Sequence, residues 1–158
     1  MKSLSERDIC SKYITPSLVK AGWNLLTQIR EEVSFTKGRI IVKGKIHSRG
    51  KLKRADYILY YKANIPIAVI EAKDNNHSLG SGIQQALNYA ETLNVPFVFS
   101  SNGDGFLFHD RTGLNEKKEM EISLNEFPSP SKLWNIYCKS KNINNEKERL
   151  TIETPYYD

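Results

Sequence analysis

Two acids and a lysine stand where a buried strand should end. The run Ile65 to Ile70 is continuously apolar and passes without a turn into Glu71, Ala72 and Lys73. Side chains alternate along a strand, so Glu71 and Lys73 share a face, with Ile67 and Val69 on that face behind them. Fifteen positions before Glu71 is Asp56, in ADYILYYK, which reaches IPIAVIEAK through the short ANIP. A hairpin of these two strands sets the start of one beside the end of the other and brings Asp56 to Glu71. Adjacent carboxylates repel, and a hard divalent cation relieves that repulsion. Mg²⁺ takes oxygen ligands and keeps several waters, so two carboxylates, a main-chain carbonyl and a phosphate oxygen suffice to hold it. The metal would lower the pKa of a bound water, and Lys73 would orient that water or stabilise developing charge. The chemistry these residue types suit is phosphodiester hydrolysis.

A second pair lies on the following helix. Gln85 and Tyr89 are four apart and share a face, which the pattern places roughly opposite the core stripe Ile83, Leu87 and Ala90. A Gln amide and a Tyr hydroxyl so placed can order a water, a carboxylate or a phosphate. Taken alone, the pair reads as an ordinary polar helix face. An isolated Glu-x-Lys likewise reads as a surface ion pair, and Asp56 as a turn cap; the combination carries the site.

Charge is distributed unevenly. The net charge is +5, yet Lys37, Arg39, Lys43, Lys45, Arg49, Lys51, Lys53 and Arg54 follow one another between Val33 and Ala55 with no acid among them. Such a segment suits a polyanion, because Lys and Arg beside phosphates release condensed counterions. Charge alone fits a solvated basic hairpin equally well. His47, His77 and His109 are scattered without metal-ligand spacing, and no P-loop, GxSxG or HExxH occurs.

The elements that must position these residues are legible in outline. Ser5 and Asp8 form a capping-box start to a helix whose stripe is Ile9, Tyr13, Leu18 and Val19, with a kink or restart at Pro16 and a stop at Gly22. RIIVKGKIHS, ADYILYYK and IPIAVIEAK read as strands, the last buried on both faces and therefore central. SLGSGIQQALNYAETLN reads as a helix, PFVFS as a strand, and SNGDG as a hairpin turn into FLFHD. The expected fold is α/β, an α/β/α arrangement around a central mixed sheet. Residues 1–114 form its core on this reading. Residues 115–158 would be a polar linker, a short packing helix using Leu133, Trp134 and Tyr137, and a tail.

At 158 residues the chain suits one domain with a real core. The N-terminus has no apolar h-region, and no run approaches a membrane span. Cys10 and Cys138 are far apart and in no CxxC pattern, as expected of reduced thiols in a cytoplasmic protein.

Asp56, Glu71-Ala72-Lys73 and Gln85 to Tyr89 resemble the D…ExK…QxxxY signature of the PD-(D/E)XK nuclease superfamily in its RecB-like branch. More narrowly, SERDICSKYITPSLVKAGW, ADYILYYKANIPIAVIEAK, QQALNYAETLNVPFVFSSNG and PYYD resemble the N-terminal endonuclease domain of R (HsdR) subunits of type I restriction enzymes. The likeness covers Ser5 to Gly113. Ala55 stands where the superfamily name has proline, a departure that leaves the required carboxylate in place.

The resemblance implies a restriction-endonuclease-like core and a Mg²⁺-dependent DNA endonuclease without base specificity of its own. Asp56, Glu71 and the Ala72 carbonyl would bind the metal, Lys73 would be the catalytic lysine, and Gln85 and Tyr89 the accessory pair. Glu6 would be a further acid completing the site. Lys43, Lys45, Arg49, Lys51, Lys53 and Arg54 are the candidates for DNA contact. Implied partners are double-stranded DNA and the specificity and methyltransferase subunits of a restriction-modification complex. ATP would enter only through a helicase-like domain outside this chain, towards which TPYYD would lead. A standalone repair or junction nuclease of the superfamily, or a non-catalytic DNA-binding module of the same fold, would share these features.

Overall fold

A computed structural model of the chain describes residues 4–36, 39–41, 52–114 and 117–141. Within them a seven-stranded sheet runs β2-β1-β3-β4-β5-β6-β7. Its strands are β1 (Ile29–Thr36), β2 (Arg39–Ile41), β3 (Lys53–Lys62), β4 (Ile65–Ala72), β5 (Phe97–Ser101), β6 (Phe106–Asp110) and β7 (Glu119–Ile122). Every neighbouring pair is antiparallel except β4 and β5. A parallel pair needs a crossover, supplied here by helix α3 (Ile83–Leu93). The other α-helices among the described residues are α1 (Glu6–Ile9), α2 (Thr15–Lys20) and α4 (Pro130–Ser140), with a 3-10 turn at Leu124–Glu126. The sheet is mixed and the layers are α/β/α, as expected.

Two apolar clusters hold the layers together. On one face Ile9, Ile14 and Leu18 pack with Leu133 and Trp134 of α4 against Tyr57, Leu59, Ile70 and Phe99. On the other, Ala86 and Ala90 of α3 lie on Val33, Phe35, Ile58, Val69 and Val98. β4 is buried from Ile67 to Ala72, which confirms it as a central strand. Ile67, however, belongs to the first cluster and Val69 to the second. The β3–β4 register shifts between Leu59 and Tyr60, and that irregularity removes Ile67 from the face of Val69.

The first helix departs from its expected stripe for a related reason. Between α1 and α2 the backbone makes a π-helical turn, Cys10–Ile14, closed by the Thr15 N–H on the Cys10 carbonyl. Pro16 has no N–H to continue a regular ladder, and the wide turn accommodates it. Ile14 therefore follows Ile9 onto the buried side, while Val19 is left 48% exposed. The Ser5–Asp8 capping box is formed as expected.

β1 and β7 were absent from the expected elements. β7 pairs with β6 inside the polar stretch read as a linker. Beyond it Phe127 joins the first cluster, and the Trp23 indole N–H donates to the Pro128 carbonyl at 2.9 Å. Trp134 stacks on Tyr61 with ring centroids 4.4 Å apart. Of the expected strand RIIVKGKIHS, Arg39–Ile41 form β2, and residues 42–51 lie outside the described residues.

Candidate active site

The β3–β4 ladder runs as far as Tyr57 opposite Ile70. One step further, where Asp56 would face Glu71, side chains replace it. The Asp56 N–H donates to Glu71 Oε1 at 3.3 Å, and the Ala72 N–H donates to Asp56 Oδ2 at 2.8 Å. The two acids thus meet at the point where the strands part. An N–H and C=O of one strand residue point to the same edge, so the Ala72 carbonyl lies on the edge that its N–H shares with Asp56. The Lys73 N–H turns the other way, to the Ser101 carbonyl at 2.9 Å.

Glu71 is only 4% exposed. Burial, the first cause, then the side-chain hydrogen bond with the Asp56 carboxyl and the charge of Asp56 push its carboxyl up to about 10, while the Asp56 N–H and Lys73 pull it down. A buried carboxyl beside another acid keeps its proton unless a cation replaces it. Lys73 is half-buried and lies on the Glu71 side: a Cβ built on Gly82 would sit 3.3 Å from Glu71 Cβ and 3.5 Å from Lys73 Cγ. The alternation that puts Glu71 and Lys73 together therefore holds at this end of β4.

Gly82 is the N-cap of α3, and its lack of a side chain lets the helix come down onto the two charged residues. Ser100, opposite Glu71 on β5 and fully buried, fixes that approach. Its hydroxyl accepts from the Gly82 N–H at 3.1 Å and donates to the Leu79 carbonyl at 2.9 Å. Neither residue stands out in the sequence, because the pairing of Ser100 with Glu71 follows only from the parallel register. Gln85 lies one turn beyond Gly82. Its amide N–H donates to the Tyr89 hydroxyl at 2.5 Å, so the two make a unit. Tyr89 does not lie opposite the core: its ring packs edge-on against Phe35 at 5.1 Å, within the second cluster.

Tyr57 is a further residue that the sequence left unremarked. Buried next to Asp56, its hydroxyl donates to the Cys10 carbonyl at 3.1 Å and pairs with the Thr15 hydroxyl at 2.7 Å. It ties the π-helical turn to the strand that carries the acid. Glu6 opens α1 and is exposed. Among the described residues no three His, Cys, Asp or Glu side chains are gathered for a metal, so Glu6 is not drawn in with Asp56 and Glu71. Lys53 is half-buried and Arg54 exposed on β3, just ahead of Asp56. Lys43, Lys45, Arg49 and Lys51 lie outside the described residues.

Residues 24–128 match the model of the type I restriction enzyme R protein N terminus (HSDR_N). The chain belongs to this family. It is 46% identical, over its full length, to the type I restriction enzyme EcoAI endonuclease subunit of Escherichia coli, of which it spans 20%. A solved fragment described as that of an HsdR subunit of a type I restriction enzyme from Vibrio vulnificus YJ016 superposes with a TM-score of 0.81 at 38% identity. That match covers all of this chain and 30% of the fragment. The R-protein N-terminal fold therefore carries Asp56, Glu71 and Lys73 at the end of its central strands, and no helix among the described residues is long and apolar enough to cross a membrane.

Proposed function

We propose that this chain is the DNA-cutting part of a type I restriction enzyme R subunit, a Mg²⁺-dependent endonuclease without base specificity of its own. The observation that carries the reading is the meeting of Asp56 and Glu71 where the β3–β4 ladder stops, with Lys73 alongside. The donor set fits the metal. It is all oxygen and hard, it holds two carboxylates in hydrogen-bond contact, and one of them is buried at a cost that a cation would remove.

Asp56, Glu71 and the Ala72 carbonyl would hold Mg²⁺, with water completing the shell. Bound there, the metal would acidify a water and neutralise charge on the phosphate. Lys73 would donate hydrogen bonds to the attacking water or to a non-bridging phosphate oxygen. Because Gln85 donates to the Tyr89 oxygen, the phenol proton remains available for a phosphate. Lys53 and Arg54, with Lys43, Lys45, Arg49 and Lys51 before them, would neutralise the flanking DNA backbone. Double-stranded DNA is the substrate on this reading. Site recognition belongs to specificity and methyltransferase subunits, ATP to a helicase-like part of the longer R protein, and the whole to the cytoplasm.

Calorimetric titration of the chain with Mg²⁺ tests the metal site. Binding should release protons, because Glu71 must ionise to act as a ligand, and Asp56→Asn should weaken it about tenfold or more. Equal binding by wild type and Asp56→Asn, or none by wild type, would overturn the reading.

A further inference from the structure

Glu32 lies in the left-handed region, with φ of +53° in the middle of β1. The conformation is costly for a residue with a side chain, and such outliers persist only where their surroundings impose them. Glu31 pairs with Tyr57 and Val33 with Ala55, so Glu32 stands opposite Asp56 with no residue inserted on either strand. What changes there is the face. Residues 29, 33 and 35 of a regular strand would point one way, yet Ile29 packs in the first cluster and Val33 and Phe35 in the second. β3 does the same: Tyr57 and Leu59 belong to the first cluster, Ala55 to the second. Both strands reverse at the single pair Glu32 and Asp56.

This reversal coincides with the place where β3 leaves β4 and the Asp56 carboxylate takes the Ala72 N–H in place of a backbone carbonyl. The Glu32 side chain is exposed, so the backbone angle, not the carboxylate, distinguishes the position. The half-strand beyond it is clamped by Phe35, fully buried and seated against Tyr89. The fold's second core, and with it the helix of Gln85 and Tyr89, thus enforces the twist at Asp56.

We infer that Glu32 is a positioning residue whose left-handed backbone turns Asp56 toward Ala72 and Glu71, and so builds the metal-binding end of the sheet. The inference rests on the proposed nuclease reading. It makes residue 32 a site of backbone requirement: residues that tolerate the left-handed region serve, and β-branched ones do not.

The test is a substitution series at residue 32, with Mg²⁺ binding measured on the 158-residue chain and DNA cutting on the assembled enzyme. Glu32→Gly and Glu32→Asn should bind Mg²⁺ within about twofold of wild type and cut normally, since both tolerate positive φ. Glu32→Ala should bind more weakly, and Glu32→Val about tenfold more weakly, the loss typical of groups that orient a metal ligand. Should Glu32→Val prove unfolded, the comparison of Glu32→Ala with Glu32→Gly decides. Equal binding by Ala and Gly variants, or equal loss in all four, overturns the proposal. A wild-type chain that takes no Mg²⁺ while Glu71→Ala cuts normally would instead overturn the nuclease reading itself.

Discussion

Replacing Lys73 with alanine should slow DNA cutting by the assembled enzyme about a hundred- to a thousandfold, while DNA binding and ATP hydrolysis stay at wild-type levels. Among the described residues Lys73 is the cation whose charge acts on Glu71, and its Cγ lies on the Glu71 side, next to Gly82. Its attraction for charge that develops on the phosphate is strongest where water is excluded, and Glu71 shows how far water is excluded here. Lys73→Arg should restore little, because a planar fork cannot occupy the place of a compact point charge on a flexible stem. The loss should appear as a lower maximal rate with an unchanged DNA concentration for half-saturation, measured on circular plasmid containing a recognition site. A Lys73→Ala enzyme that cuts at the wild-type rate would remove the lysine from the mechanism.

Glu71→Gln should move activity and stability in opposite directions. Cutting should fall by about a hundredfold or more, since the amide cannot serve as an anionic metal ligand. The metal-free fold should meanwhile become more stable at alkaline pH. In the unfolded chain the carboxyl ionises near 4.5, whereas burial and Asp56 push it up to about 10 in the fold. Below pH 4.5 both states are protonated and Glu71 costs nothing. Above it the unfolded chain has released a proton that the folded chain retains, so stability falls with rising pH from there towards 10. Glutamine keeps the shape, can accept the Asp56 N–H, and has no proton to lose. The variant's metal-free stability should therefore exceed wild type by about 1–3 kcal/mol at pH 8 and match it at pH 4, read as a Tm difference of several degrees. Saturating Mg²⁺ should stabilise the wild type and leave Glu71→Gln where it was. A variant less stable than wild type at pH 8 would contradict the buried-acid account.

The acids and the lysine were legible because their strand is regular where they stand. From Val69 to Lys73 the alternation is intact, so the shared face of Glu71 and Lys73 could be read directly, and the short ANIP connection fixed Asp56 near them. Elsewhere the pattern was harder to read. β1 was hidden because the charged run Arg30, Glu31 and Glu32 separates Ile29 from Val33 and Phe35, so IREEVSFT shows too few apolar residues to mark a strand. The stripe of the first helix was legible in part: Ile9, Tyr13 and Leu18 face the core, but the π-helical turn adds Ile14 to them and leaves Val19 exposed. β7 was missed for a different reason: EMEI lies at the sheet's rim and is mostly exposed, so burial leaves no mark on its composition. Ser100 and Gly82 act through a parallel register, which one sequence does not display.

Asp56 and Glu71 belong to strands with neighbours on both sides, β1 and β2 beyond one, β5, β6 and β7 beyond the other. Fraying, which begins at rims and termini, must pass through the outlying strands before it reaches them. The amides around the acids should therefore be among the last to exchange their hydrogens with solvent. On warming, the capacity to hold metal should vanish together with cooperative melting, with no earlier, partial inactivation of a local lid or loop.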